Sequence, residues 1–360
     1  RQILRTDPNQ PDALQFVGLC AYESGRVDEA VEYLQRAAKS QPSNAFIRTN
    51  LGTVLQQRGQ FEEAIACYRR ALEINPNLPH AHNNLGAALK KSGHLQEALD
   101  SYQKAITLRP EYAEAHSNLG NVLKQVGQID EAIAAQHRSI ECNPRYAEGH
   151  NNLGLAVAAK GDYAQALECY RKALELKPHY AEAYDNAGSA MRSLGDIDNA
   201  LRAYEQAVKL DPNFSGARNN LGALLQSQQR LEEAITHYRE ALRLDPHSFF
   251  AHSNLGDALA ELGEFHHAQA SYQHALVIKA TPRLQLVLAT QLPPIYESST
   301  DLQRWRERLH GQLSNIDQRV KLDPETELLP SCFYMAYQGD NCRQYMETVS
   351  RCYQPLNDPL

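Results

Sequence analysis

Seven asparagines, Asn50, Asn84, Asn118, Asn152, Asn186, Asn220 and Asn254, recur along the chain at a spacing of 34 residues. An asparagine amide carries two N–H donors and a carbonyl acceptor, the complement of a peptide group. A row of such amides could bracket the backbone of an extended polypeptide and hold it without reading much of its sequence. The same side chains could instead bond a neighbouring helix. Phe16 stands where the first period would place an eighth asparagine. Polar neighbours of the row (Asn83, Asn151, Asn219, Asn121 and Asp257) favour a wetted groove over a packed seam.

Other reactive side chains do not assemble into a site. His82, His116, His150 and His252 lie two residues before ladder asparagines. A shared metal is excluded by distance, since a zinc site needs its ligands ~2 Å from one ion. His80 with His82, or His266 with His267, supplies two ligands and no third, so these histidines read as groove or surface residues and no metal is expected. The chain shows no glycine-rich phosphate loop, no Ser/His/Asp arrangement and no supported carboxylate pair, so no catalytic residue is assigned. His310 and Asp317 share a helix face but stand alone. Positions just before the ladder (Thr49, Asn83, Ser117, Asn151, Asp185, Asn219 and Ser253) include no basic residue, and Arg48 and Arg218 are far apart. A basic clamp for a terminal carboxylate is therefore disfavoured.

The elements that must carry the ladder follow from the same period. Gly18, Gly52, Gly86, Gly120, Gly154, Gly188, Gly222 and Gly256 share one phase, and the alanines from Ala30 to Ala268 share another. Pro42, Pro76, Pro110, Pro144, Pro178, Pro212 and Pro246 close seven of eight blocks. Within Ala45 to Leu78, Phe46, Leu51, Val54 and Leu55 fall at helical spacing, and Phe61, Ala64, Ile65, Tyr68, Ala71 and Leu72 form a second apolar stripe. Gly59 suits the stop between the two helices, and Pro76 ends the second. Small residues at Gly52, Ala64 and Ala71 let helices approach to ~8–10 Å. Gln229 replaces the loop glycine of the other seven blocks, at a cost of roughly 1 kcal/mol if it must adopt a left-handed conformation.

These blocks resemble the tetratricopeptide repeat, with Asn50-Leu51-Gly52, Ala64, Tyr68, Ala71 and Pro76 as one instance. The resemblance spans residues 11–282 in eight blocks. It implies an all-α fold, a right-handed superhelix (an α-solenoid) that binds proteins. Residues 1–10 match the end of a preceding repeat, with Pro8 in phase with Pro42, so the protein is expected to extend further N-terminally. A formal charge of −7 with mixed signs and no basic run disfavours nucleic acid as a partner. No apolar stretch reaches the ~18 residues of a membrane span. Seven cysteines without a paired spacing favour a reducing, cytoplasmic setting.

The period stops after Pro282, and residues 283–360 are expected to form a helical capping or linking segment. Leu284, Leu288 and Leu292 suggest a short helix before Pro293-Pro294. Ser298, Ser299 and Thr300 can cap a long one bearing Leu302, Trp305, Leu309, Leu313, Ile316 and Val320, and a further helix is expected over 341–353. The strings LPPIYESSTDLQRWRERL (292–309) and FYMAYQGDNCRQYMETVSRCY (333–353) resemble the segment joining repeats to catalytic region in bacterial SPINDLY-type relatives of the O-linked N-acetylglucosamine transferases. That resemblance implies that the asparagine ladder guides acceptor polypeptides to a transferase domain using a nucleotide sugar such as a UDP-sugar. The catalytic residues would lie beyond Leu360, and the 360 residues alone would need no cofactor. The competing reading is a free-standing interaction scaffold, and for either reading homodimerisation is left open.

Overall fold

The computed structural model describes residues 2–290 and Glu307, and among them every regular element is a helix. The described residues fall into two compact units that divide between Gly195 and Asp196. The first opens with α1 (Gln2–Thr6) and continues as hairpins: α2 (Pro11–Glu23) with α3 (Val27–Ser40), α4 (Ala45–Gln57) with α5 (Phe61–Ile74), α6 (Pro79–Lys91) with α7 (Leu95–Leu108), α8 (Ala113–Gln125) with α9 (Ile129–Cys142), and α10 (Ala147–Ala159) with α11 (Tyr163–Leu176). It ends with α12 (Ala181–Ser193). The second unit holds α13 (Ile197–Leu210), then α14 (Ser215–Ser227) with α15 (Leu231–Leu244), α16 (Phe249–Glu261) with α17 (Phe265–Ile278), and α18 (Pro282–Thr290).

Each hairpin is closed by one contact. A tyrosine of the second helix lays its ring on the phase glycine of the first. A Cβ built on Gly52, Gly86, Gly154, Gly222 or Gly256 would meet the ring of Tyr68, Tyr102, Tyr170, Tyr238 or Tyr272 at 2.5–2.8 Å. These rings are fully buried, as are Ala64, Ala98, Ala166, Ala234 and Ala268 on the same helices. Two hairpins differ. In α2/α3 Leu34 packs on Gly18, and in α8/α9 a buried Gln136 replaces the tyrosine. The Gln136 Nε2 donates to the Ser117 carbonyl (2.9 Å) and to the Asn121 Oδ1 (3.3 Å), while its Oε1 has no partner.

Within each unit the two helix layers differ. First helices of successive hairpins pack on one another: α2 on α4, α4 on α6, α6 on α8, α8 on α10, α10 on α12, and α14 on α16. Second helices have no pairing of comparable extent, so the first-helix layer is the tighter one. The loop glycines Gly25, Gly59, Gly93, Gly127, Gly161, Gly195 and Gly263 all have positive φ, and Gln229 joins them at φ 62°.

The short helix expected around Leu284 and Leu288 is α18, which packs on α17. Arg283 binds both carboxylate oxygens of Asp257 (2.9 Å each), and Asp257 also accepts from the Tyr272 hydroxyl (2.8 Å). Leu284, Val287 and Leu288 are buried, with Leu288 34 residues after Asn254, so an apolar side chain ends the amide row. The expected helices after Thr300 and over 341–353 lie outside the described residues.

Two substitutions test these contacts. Gln229→Gly should raise the unfolding free energy by about 0.5–1 kcal/mol in chemical denaturation, because it relieves a left-handed non-glycine residue. Gly154→Ala should lower it by about 1–3 kcal/mol, since the added methyl would overlap the Tyr170 ring.

Candidate functional site

All seven ladder asparagines lie on first helices and all are half-buried. Most reach back to the preceding repeat. The Asn118 Nδ2 donates to the Asn83 Oδ1 (3.0 Å), Asn152 to the Ser117 Oγ (2.9 Å), Asn186 to the Asn151 Oδ1 (3.0 Å) and Asn254 to the Asn219 Oδ1 (3.0 Å). Asn84 donates to the Thr53 Oγ1 (3.3 Å), which also accepts from the Tyr68 hydroxyl (3.3 Å). The Asn50 side chain makes no hydrogen bond among the described residues.

Apart from Thr53, the acceptors stand one position before a ladder residue, and sequence reasoning assigned Asn83, Asn151 and Asn219 among them to a wetted groove. Asn83, Ser117 and Asn151 are instead buried, at 6%, 1% and 3% exposure, and belong to a packed seam between repeats. Their polarity is explained by the bond they receive, since a buried polar atom without a partner is costly. Each link uses one N–H of a ladder amide and fixes its plane. In Asn118, Asn152, Asn186 and Asn254 the second N–H and the Oδ1 have no hydrogen-bond partner among the described residues. A row of amides held in this way can donate to and accept from peptide groups laid along the first-helix layer.

The repeated histidines serve the scaffold. The Nε2 atoms of His82, His116, His150 and His252 lie 2.9, 2.9, 3.0 and 3.1 Å from the carbonyl oxygens of Pro76, Pro110, Pro144 and Pro246. A carbonyl can only accept, so Nε2 carries the proton. Arg48 and Arg218 do the same for Pro42 and Pro212 (2.9 and 3.0 Å). These side chains latch the turn that joins one hairpin to the next, and the signal was available in the fixed six-residue separation from each proline. No group of three His, Cys, Asp or Glu able to hold a metal occurs among the described residues.

The cation positions that sequence reasoning passed over are Lys90 on α6 and Lys124 on α8. They occupy one phase near the C-terminal ends of neighbouring first helices, and they are the only lysines among the described residues that are not exposed. Burial holds both amines below the ordinary lysine value, and Lys90 adds repulsion at Lys124.

Models of the tetratricopeptide repeat match residues 1–45, 52–93, 88–127, 111–178, 145–213, 186–249 and 251–281. The chain belongs to the tetratricopeptide-repeat family. Among solved structures it is similar to a chain in the APC/C hetero-tetramer Cut9–Hcn1, with a TM-score of 0.60, 23% identity and 71% of this chain covered. The match spans 51% of that chain, about half its length. A tetratricopeptide repeat protein from Parabacteroides merdae matches with a TM-score of 0.59 and 18% identity, over 69% of this chain and 98% of its own. At these identities the likeness is one of fold. No match was found among curated proteins. No helix among the described residues is long and apolar enough to cross a membrane.

The latches give the repeat stack a pH dependence. Burial is the main cause that lowers the pKa of His82 and of His252, and the His252 Nδ1 is buried without a partner, so protonation there creates an unsatisfied donor. The stability from keeping these rings neutral is present above the unfolded value of about 6.5 and is lost as pH falls through the lowered folded value. The melting temperature should therefore fall between about pH 7.5 and 5, and less steeply in a His82→Gln/His252→Gln variant. Equal slopes would show that the latches do not carry the effect.

Proposed function

We propose that this tetratricopeptide-repeat chain is a protein–protein interaction scaffold that holds an extended segment of a partner polypeptide along its first-helix layer. The observation that carries this reading is the row of half-buried amides at Asn118, Asn152 and Asn186, each pinned by a buried acceptor and each keeping one N–H and one carbonyl oxygen unpaired among the described residues. A peptide bond presents the matching acceptor and donor, so the grip needs no particular side chain. Successive first helices about 8–10 Å apart would meet every third residue or so of a chain extended at about 3.3–3.6 Å per residue.

A second reading is favoured by the strings at 292–309 and 333–353, which resemble the linker of SPINDLY-type glycosyltransferases. On that reading the scaffold is the acceptor-binding arm of an enzyme whose sugar-transferring region lies beyond Leu360. Transfer of labelled N-acetylglucosamine from its UDP donor to proteins of an extract, by a protein carrying that region and not by residues 1–360, supports it. No transfer and no donor hydrolysis by either leaves the plain scaffold.

The seam offers a clean test of the amide grip. Asn152→Ala and Ser117→Ala each delete the same inter-repeat hydrogen bond, at a comparable stability cost of about 0.5–1.5 kcal/mol. Only the first removes an amide from the open side. Against a peptide selected from an unstructured library on the unmodified protein, Asn152→Ala should raise Kd severalfold and Ser117→Ala should leave it nearly unchanged. Equal effects would mean that the ladder serves the stack alone.

A further inference from the structure

We propose that the first-helix layer of repeats three to five selects an acidic polypeptide segment, whose carboxylates pair with Lys90 and Lys124; this rests on the peptide-holding reading and names the class of peptide held. The placement of the two lysines is the starting point. They stand 34 residues apart at one phase of α6 and α8, which pack directly on one another. Among the described residues neither side chain takes part in an ion pair or a hydrogen bond, and no carboxylate is among the charges acting on either. Other lysines do find acids: Lys160 pairs with Asp130 (2.7 Å) and Lys177 with Glu148 (2.8 Å).

The protein itself shows where the counter-charge belongs. At the same phase on α14, the Gln226 Nε2 donates to the Glu261 Oε1 of α16, 35 residues later (2.6 Å). A carboxylate in that register therefore reaches the side chain at the lysine position of the preceding repeat. The equivalent residues for Lys90 and Lys124 are Gln125 and Ala159, both exposed and neither acidic. Two half-buried ammonium groups thus lack the partner that the fold supplies elsewhere, at positions open to solvent. Partly buried charges are costly unless paired, and Lys91 and the stacked lysines repel one another, so an incoming carboxylate recovers more than it would at a fully exposed amine. The spacing of neighbouring first helices, about 8–10 Å, matches about three residues of extended chain, so carboxylates three apart would meet both lysines. A peptide is favoured over a nucleic acid because the same first helices carry the ladder amides, which match peptide groups, and no basic stripe that would follow a phosphate backbone.

The test uses fluorescein-labelled peptides of repeated Glu-Ala-Ser, the same peptide with Gln for Glu, and an oligothymidylate, with binding read by anisotropy at low and near-physiological salt. The expected result is that the Glu peptide binds at least about fivefold more tightly than the Gln peptide, with the margin shrinking as salt rises. Lys90→Gln/Lys124→Gln should abolish the margin while leaving the Gln peptide's affinity unchanged, with circular dichroism confirming the fold. Equal binding of the Glu and Gln peptides, no binding of the Glu peptide, a margin that survives the double substitution, or preference for the oligothymidylate would each overturn the proposal. Asn118→Ala/Asn152→Ala should weaken the Glu and Gln peptides alike. If a lysine-dependent preference persists while that pair has no effect, the amide grip fails and the acidic selectivity stands.

Discussion

The contact between a tyrosine ring and a bare glycine backbone is the constraint on which each hairpin depends. At Gly154 a Cβ would lie 2.5 Å from the Tyr170 ring, closer than real side chains approach. The missing side chain lets the ring lie flat on the first helix, and the small alanines of the second helix complete the close approach. The ring takes this place in five hairpins, and Leu34 and Gln136 take it in α2/α3 and α8/α9, so the same close approach is repeated within each unit. Within each unit the ladder positions, two residues before the glycine, then take the same place on successive first helices without direct contact between distant asparagines. Where tyrosine is absent, in α8/α9, Gln136 fills the same buried place and supports the first helix through the Ser117 carbonyl.

Two sets of hydrogen bonds convert that stacking into an ordered face. The latch from His82, His116, His150 and His252 to a proline carbonyl ties each first helix to the turn that precedes it. The seam bonds from the asparagines to buried acceptors tie first helix to first helix. One N–H of each of these amides serves the stack, which leaves the other N–H and the carbonyl for the peptide we propose. The structural role of the ladder is therefore compatible with the proposed binding role.

Much of this was legible in the sequence because a repeat writes the same physical requirement many times. The helices, their loop glycines and the left-handed Gln229 follow from period and chemistry, and Gln229 has the φ of 62° that its position demands. The burial of Asn83 and Asn151 was not legible. Polar side chains suggest water, and only the packed geometry reveals a donor from the next repeat to satisfy them. The histidines were missed as latches for a similar reason, since their partner is a backbone carbonyl with no signature of its own. Lys90 and Lys124 have no sequence signature of their own, since what sets them apart is their partial burial and the lack of an acid 35 residues further on.

The proposed function places a polypeptide along the first-helix layer in the hold of the ladder amides. A crystal structure of the chain with a selected peptide bound tests it most directly. The account predicts peptide carbonyl and N–H groups within hydrogen-bond distance of the Nδ2 and Oδ1 atoms of Asn118, Asn152 and Asn186, with the seam bonds to Asn83, Ser117 and Asn151 intact. A peptide seated on the second helices, or one on the first-helix layer that leaves those amides untouched, would contradict it.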